Sequence, residues 1–369
     1  MTPEQVRELQ ALVDEGEFAL ATRDSRTAHD RAVGVLGSVD GSAPVELVRA
    51  ANRLRAAAQE LDGDLDGAIE TLTKLVADPH ADEAWVSVVM SLVRCHRDRG
   101  EYSKAISVGE DARATIDELG LAHLTEAIQL TVTVAGAVYL RGDNRYAMRT
   151  LKRAIEVAER VNSPVALASA YWNASVIEAA EGSREKALHL AKLALSLFEA
   201  GDDSRNLGRI RGMVADLQLG LDDPDVTAAV ENLDKADLEL AWAPVSTTDL
   251  ARQRLSRCDA SLILGDLVDA EAQINECARL APADAQALNA AVFIRRGQIA
   301  AAQFDIDKAK DHYRRATLLL TGAGADHAVA QTWFDLGSVL DELGDRDGAH
   351  DAFRSAAAAR GLRSMRLGG

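Results

Sequence analysis

WFDLGSVLDELGDRDGAHDAF, residues 333–353, decides the fold. Trp333, Leu336, Gly337 and Leu340 stand at i, i+3, i+4 and i+7, the spacing of one apolar helix face. Gly344 follows, a residue that readily supplies the positive φ at which many helices stop. Ala349, Phe353 and Ala356 then resume three- and four-residue spacing. The stretch predicts a helix, a glycine turn and a second helix: one hairpin.

The hairpin is one of many. Gly344 lies five residues before Ala349, and the same pairing recurs at Gly63–Ala68, Gly100–Ala105, Gly142–Ala147, Gly182–Ala187 and Gly265–Ala270. Ala28, Ala229 and Ala309 keep the alanine without the glycine. The gaps between these nine alanines, in chain order, are 40, 37, 42, 40, 42, 41, 39 and 40 residues. Self-similarity at a fixed period is the mark of a repeat architecture. The spacing predicts a single array over residues 1–369, with hairpins at 3–40, 43–79, 81–119, 121–161, 164–200, 204–242, 245–281, 283–321 and 325–360, then a tail at 361–369. The seven prolines, at 3, 44, 79, 164, 224, 244 and 282, all fall at helix starts or in connections on this register. In a helix interior each would cost about 3 kcal/mol.

Composition agrees. Hydrophobic residues make up 47% and aromatics only 4%, so the chain reads as Ala-rich and all-α with close helix contacts. No sustained strand-type alternation is present. The net charge of −17 argues against nucleic acid or an anionic membrane as a partner. The uncharged run that comes nearest to a membrane candidate, Ala127 to Leu140, is shorter than the roughly 20 residues of a membrane span. The opening MTPEQVRELQ lacks the apolar core of a secretory signal, and a cytoplasmic location is expected.

Trp333-x-x-Leu336-Gly337 followed by Gly344, Ala349, Phe353 and Ala356 resembles the tetratricopeptide-repeat signature, and Pro282, twelve residues after Ala270, matches that family's closing proline. The resemblance covers essentially the whole chain. It implies a right-handed α-solenoid of about nine hairpins, with the first helix of each (helix A) lining a concave groove. Partners in this family usually lie in that groove as extended peptides or helices. The period departs from the family's 34 residues and is nearer 40, similar to the bacterial regulatory versions found in peptide-sensing and sugar-sensing transcription regulators. Those carry a DNA-binding or ATPase module. Repeats starting within the first residues leave no room for a helix-turn-helix, so the expectation is a protein working without one or a detached sensor domain.

Catalytic motifs are missing: no phosphate-binding or dinucleotide glycine loop, no nucleophile elbow and no H-E-x-x-H. His96-Arg97-Asp98 imitates a kinase tripeptide, but Ser103 stands where the asparagine is due. No cofactor or metal is implied. Cys95, Cys258 and Cys277 form no metal-type spacing; Cys258 and Cys277 are expected near one another, as packing or as a redox pair. The tail RSMRLGG reads as a frayed end.

Aligned on the alanines, position 18 before gives Ser87, Gln129, Ser169, Arg211, Arg252, Ala291 and Gln331; positions 14 and 15 before give Asn173, Arg295 and Trp172. Eleven before gives Arg94, Gly136, Gln218, Asp259 and Gln298. Glutamine and asparagine pair with both the donor and acceptor of a peptide backbone, arginine suits a carboxylate, and tryptophan anchors interfaces. The candidate peptide-binding residues are therefore Arg94, Gln129, Trp172, Asn173, Arg211, Gln218, Arg252, Arg295 and Gln298, with the arginines forming a local positive site. The alternative is that they are ordinary solvated helix residues, or that Trp172 belongs to the core. The functional expectation is a non-catalytic binding scaffold holding a protein segment or peptide. The alternative is a peptide- or ligand-sensing regulatory domain that changes shape on binding.

Overall fold

A computed structural model describes residues 1–77, 82–201, 203–243, 245–323 and 329–362. Among these are eighteen α-helices and no strand, so the chain is an all-α hairpin repeat of the solenoid class. The helices run in successive pairs: α1 (Pro3–Ala21) and α2 (Ser25–Ser38), α3 (Val45–Asp62) and α4 (Leu65–Val76), α5 (Glu83–Asp98) and α6 (Tyr102–Glu118), α7 (Thr125–Leu140) and α8 (Asn144–Arg160), α9 (Pro164–Ala180) and α10 (Arg184–Glu199). Then come α11 (Ser204–Leu219) and α12 (Val226–Trp242), α13 (Thr247–Leu264) and α14 (Leu267–Leu280), α15 (Gln286–Ala302) and α16 (Ile306–Ala323), and α17 (Ala330–Glu342) and α18 (Arg346–Ala359).

The chain divides into two compact units. Unit one comprises Met1–Ile177, Lys192–Arg205 and Ala241–Pro244; unit two comprises Glu178–Ala191, Asn206–Leu240 and Val245–Gly369. Within each, a helix packs on its hairpin partner and on the next hairpin: α5 on α6 and α7 in unit one, α13 on α14 and α15 in unit two. Each unit's core is built the same way. Val13, Ala28, Val35 and Leu54 close the first hairpins; Ile294, Tyr313, Trp333, Leu336 and Ala349 close the last.

The repeat alanines are all buried. On helix A, a Cβ at Gly337 would lie 2.6 Å from the Phe353 ring, and one at Gly297 would overlap the Tyr313 ring. Glycine on helix A seats the aromatic ring of helix B.

The turns follow one recipe. Gly63, Gly100, Gly142, Gly182, Gly265 and Gly344 adopt positive φ where helix A stops. Arg23 (φ 64°) and Phe304 (φ 63°) hold the same place in hairpins lacking the glycine. The next residue caps helix B. Asp24, Asp64, Asp143, Asp266, Asp305 and Asp345 each accept a hydrogen bond from the backbone N–H three residues on, at 2.9–3.2 Å. Asp225 does so in the sixth hairpin, where Pro224 replaces the glycine and the connection is longer. Pro3, Pro44, Pro164, Pro224 and Pro282 lie at helix starts or in connections. Pro79, Pro244 and the tail at 363–369 lie outside the described residues.

Candidate functional site

In unit one the helix-A row runs over α5, α7 and α9. Gln129 of α7 donates from Nε2 to Ser169 Oγ of α9 at 3.3 Å, and Asn173 donates from Nδ2 to the Ser169 carbonyl at 2.9 Å. A Cβ at Gly136 would come within 3.3 Å of Asn173 Oδ1, so the glycine leaves that amide its seat. Gln129 and Asn173 are thus brought together at Ser169, both half-buried. Trp172 turns aside: its ring meets Phe198 edge-to-face, centroids 5.9 Å apart at 88°. Arg94 stands apart on α5. It clasps Glu60 of α3 with Nε to Oε1 at 2.6 Å and Nη2 to Oε2 at 2.7 Å, and reaches Ser91 Oγ at 3.3 Å.

In unit two the row runs over α11, α13, α15 and α17. Arg295 of α15 donates to Asp259 of α13 at 2.7 and 2.9 Å and lies 3.6 Å from Asp335 of α17. Gln331 reinforces Asp335 at 2.8 Å. Burial alone would push the Arg295 pKa down; the Asp259 charge and hydrogen bonds outweigh it, raise the pKa above its ordinary value and hold the group cationic. Asp216 of α11 keeps surface open to water, yet crowding by protein pushes its carboxyl up to about 7. A hydrogen bond to Ser256 opposes that shift, Asp259 adds to it, and Arg295 and Arg252 oppose it. Arg252 is exposed beside this cluster. Arg211 and Gln218 are buried, and Gln218 accepts from Asn232 of α12 at 3.0 Å. The Gln298 carbonyl oxygen is buried with no hydrogen-bond partner among the described residues.

The arginines therefore do not form an open positive patch, because Arg94 and Arg295 are neutralised by carboxylates of the preceding hairpin. Glu60, Asp216 and Asp335 escaped the sequence reading. Glu60 carried a signal: it precedes Arg94 by 34 residues, as Asp259 precedes Arg295 by 36, about one repeat less a turn. Cys95, Cys258 and Cys277 are free and buried; dehydration pushes the first two thiols up to about 12 and Cys277 up to about 11. Such thiols are poor nucleophiles. Among the described residues no His, Cys, Asp and Glu cluster could hold a metal ion, and no helix is long and apolar enough to cross a membrane.

No protein-family profile matches the sequence, and no curated protein matches it. Solved structures do match in fold. A Rap protein complexed with competence and sporulation factor superposes with a TM-score of 0.59 at 10% identity, covering 96% of this chain and 98% of the other. The fold is that of the tetratricopeptide-repeat proteins. The apo form of the quorum sensor NprR from B. thuringiensis gives a TM-score of 0.57 at 14% identity over 96% and 99% of the two chains. A chain of the APC/C hetero-tetramer Cut9–Hcn1 gives 0.59 at 14% identity, covering 92% of this chain and 60% of the other. In tetratricopeptide-repeat terms, α5, α7 and α9 are A helices of unit one, and α13, α15 and α17 are A helices of unit two.

Proposed function

We propose that the chain is a non-catalytic peptide- or protein-binding regulator of the tetratricopeptide-repeat type, taking an extended segment along its A helices. The observation that carries this is the half-buried amide pair Gln129 and Asn173, aligned on neighbouring helices through Ser169. Two carboxamides at that spacing pair with successive main-chain groups of an extended peptide, whatever its side chains. The fold likeness to the Rap conjugation gene regulator of the plasmid pLS20 in complex with the Phr* peptide supports the reading. No motif or metal cluster among the described residues speaks for catalysis. The reading places the protein in the cytoplasm.

A sensor variant is favoured by one further observation. Arg94–Glu60 and Arg295–Asp259 each tie consecutive A helices together, and an ionic ligand that competes for either clasp would change how the hairpins stack. Small-angle scattering with and without bound peptide separates the two; an unchanged radius leaves the static scaffold.

The test is affinity capture from native lysate with wild type, Asn173→Ala and Trp172→Ala/Asn173→Ala. Because Trp172 packs on Phe198, Asn173→Ala is the cleaner variant. Loss of a captured partner with helical content unchanged is expected. Undiminished capture by Asn173→Ala would rule this row out.

A further inference from the structure

The uncharged run Ala127–Leu140 makes up all of α7 except its first two residues, Thr125 and Glu126. Along that run no face carries charge, so every face needs cover. Its neighbours bury Ile128, Leu130, Val132, Ala135 and Val138. Thr131 and Val134 are left half-buried, on the floor of an open groove of about 280 Å³ walled by α6 and α8. The floor is effectively apolar, because the Thr131 hydroxyl is donated to the Ala127 carbonyl at 3.0 Å. Gly109 of α6 lets the wall close on the floor: a Cβ there would lie 2.2 Å from Val134 Cγ2.

The two walls differ in charge. Arg113 on α6 stands between Glu110 and Asp117, so that wall is mixed. The α8 side is basic: Arg145, Arg149, Lys152 and Arg153 are all exposed, with Glu156 and Glu159 only towards the helix end. None of these four cations forms an ion pair among the described residues, and Arg149 lies over the Tyr146 ring at 5.9 Å. Arg153 and Tyr146 line the groove itself. On a chain of net charge −17, this is an unneutralised basic wall beside an uncovered apolar floor.

We propose that this groove docks an amphipathic helix of a partner protein, its apolar stripe on Thr131 and Val134 and its acidic flank against α8. A slot whose floor and walls are helices matches a helix in shape. The groove follows α7 from Ala127 to Val138, about 16 Å at 1.5 Å per residue, or roughly three turns. The acidic flank is selected because the chain's own carboxylates leave α8 unmatched. The site lies on a face separate from the Gln129–Asn173 row and does not depend on that row's function.

The experiment pans a display library of amphipathic helical peptides, with apolar positions fixed and flanks randomised, against the full chain. Enriched peptides should carry Asp or Glu along one flank. Resynthesised, they should bind Arg149→Glu/Arg153→Glu at least tenfold more weakly, weaken with added salt, and bind Asn173→Ala unchanged. Thr131→Arg, which fills the floor and leaves the α8 residues unaltered, should also abolish binding, with circular dichroism confirming intact helices in each variant. No enrichment, flanks without acidic bias, or equal binding by the charge-reversed chain would overturn the proposal. So would phosphatidylserine vesicles that sediment wild type but not Arg149→Glu/Arg153→Glu, which would assign the basic wall to a lipid surface.

Discussion

Phe304 occupies the place where six other hairpins carry glycine, with φ at 63° and its side chain 90% exposed. The left-handed region costs a residue with a Cβ about 1–2 kcal/mol, and an exposed ring has no packing to offset it. Phe304→Gly should therefore stabilise unit two by about 0.5–1 kcal/mol after the extra unfolded-state entropy of glycine, read as a rise in the urea midpoint. Glu101 stands where seven hairpins have a capping aspartate. It makes no cap and instead binds His96 Nδ1 at 2.7 Å and Lys104 Nζ at 2.8 Å. Hydrogen bonds from Lys104 and His96 hold its carboxyl down at about 2, against an ordinary 4.5. A depressed carboxylate contributes stability above its unfolded value and loses it as pH falls through the folded one. Acid unfolding between pH 4.5 and 2 should thus be shallower in Glu101→Gln, and an unchanged acid limb would remove Glu101 from that transition. The glycine–alanine interval was legible in the sequence because it recurs. The aspartate caps recur just as often, four residues before the alanine, and were there to be read. The left-handed Arg23 and Phe304 were not, since nothing in either residue type announces positive φ.

Between elements, small residues set the distance at which helices meet. Ala349 is buried 3% exposed at the α17–α18 contact, where the Phe353 ring already fills the space over Gly337. Ala349→Leu should overpack this hairpin by about 1–3 kcal/mol, measured by chemical denaturation; a neutral result would mean that α18 can shift outward freely. Helix faces were legible because one helix's periodicity defines them. The cross-hairpin clasps were hidden because they depend on the register between two helices. Arg94 and Arg295 looked like free cations when each helix was read alone, and the carboxylates that meet them sit one hairpin earlier. Trp172 was ambiguous for the same reason: only the placement of α10 reveals Phe198 beside it.

At the scale of the whole molecule, hairpins that contact chiefly their neighbours make stability a sum of local terms. Breaking the Arg295 clasp tests this. Arg295→Ala leaves Asp259 and Asp335 facing each other without a cation, a loss of about 2 kcal/mol for a partly exposed charged pair. Hydrogen exchange should accelerate in α13, α15 and α17 and stay unchanged in α1 to α4. Uniform acceleration would show instead that the chain unfolds as one. The period announced the hairpins from the sequence, but the division into two compact units was invisible to it, because spacing counts residues and not the contacts between them.

The three buried thiols leave the chain without a reactive cysteine of its own among the described residues. Maleimide dyes can therefore be addressed to cysteines introduced at chosen surface positions while the native three stay in place. A donor and acceptor pair on the outer ends of two hairpins would then report, one molecule at a time, whether a captured peptide stiffens the repeat or bends it.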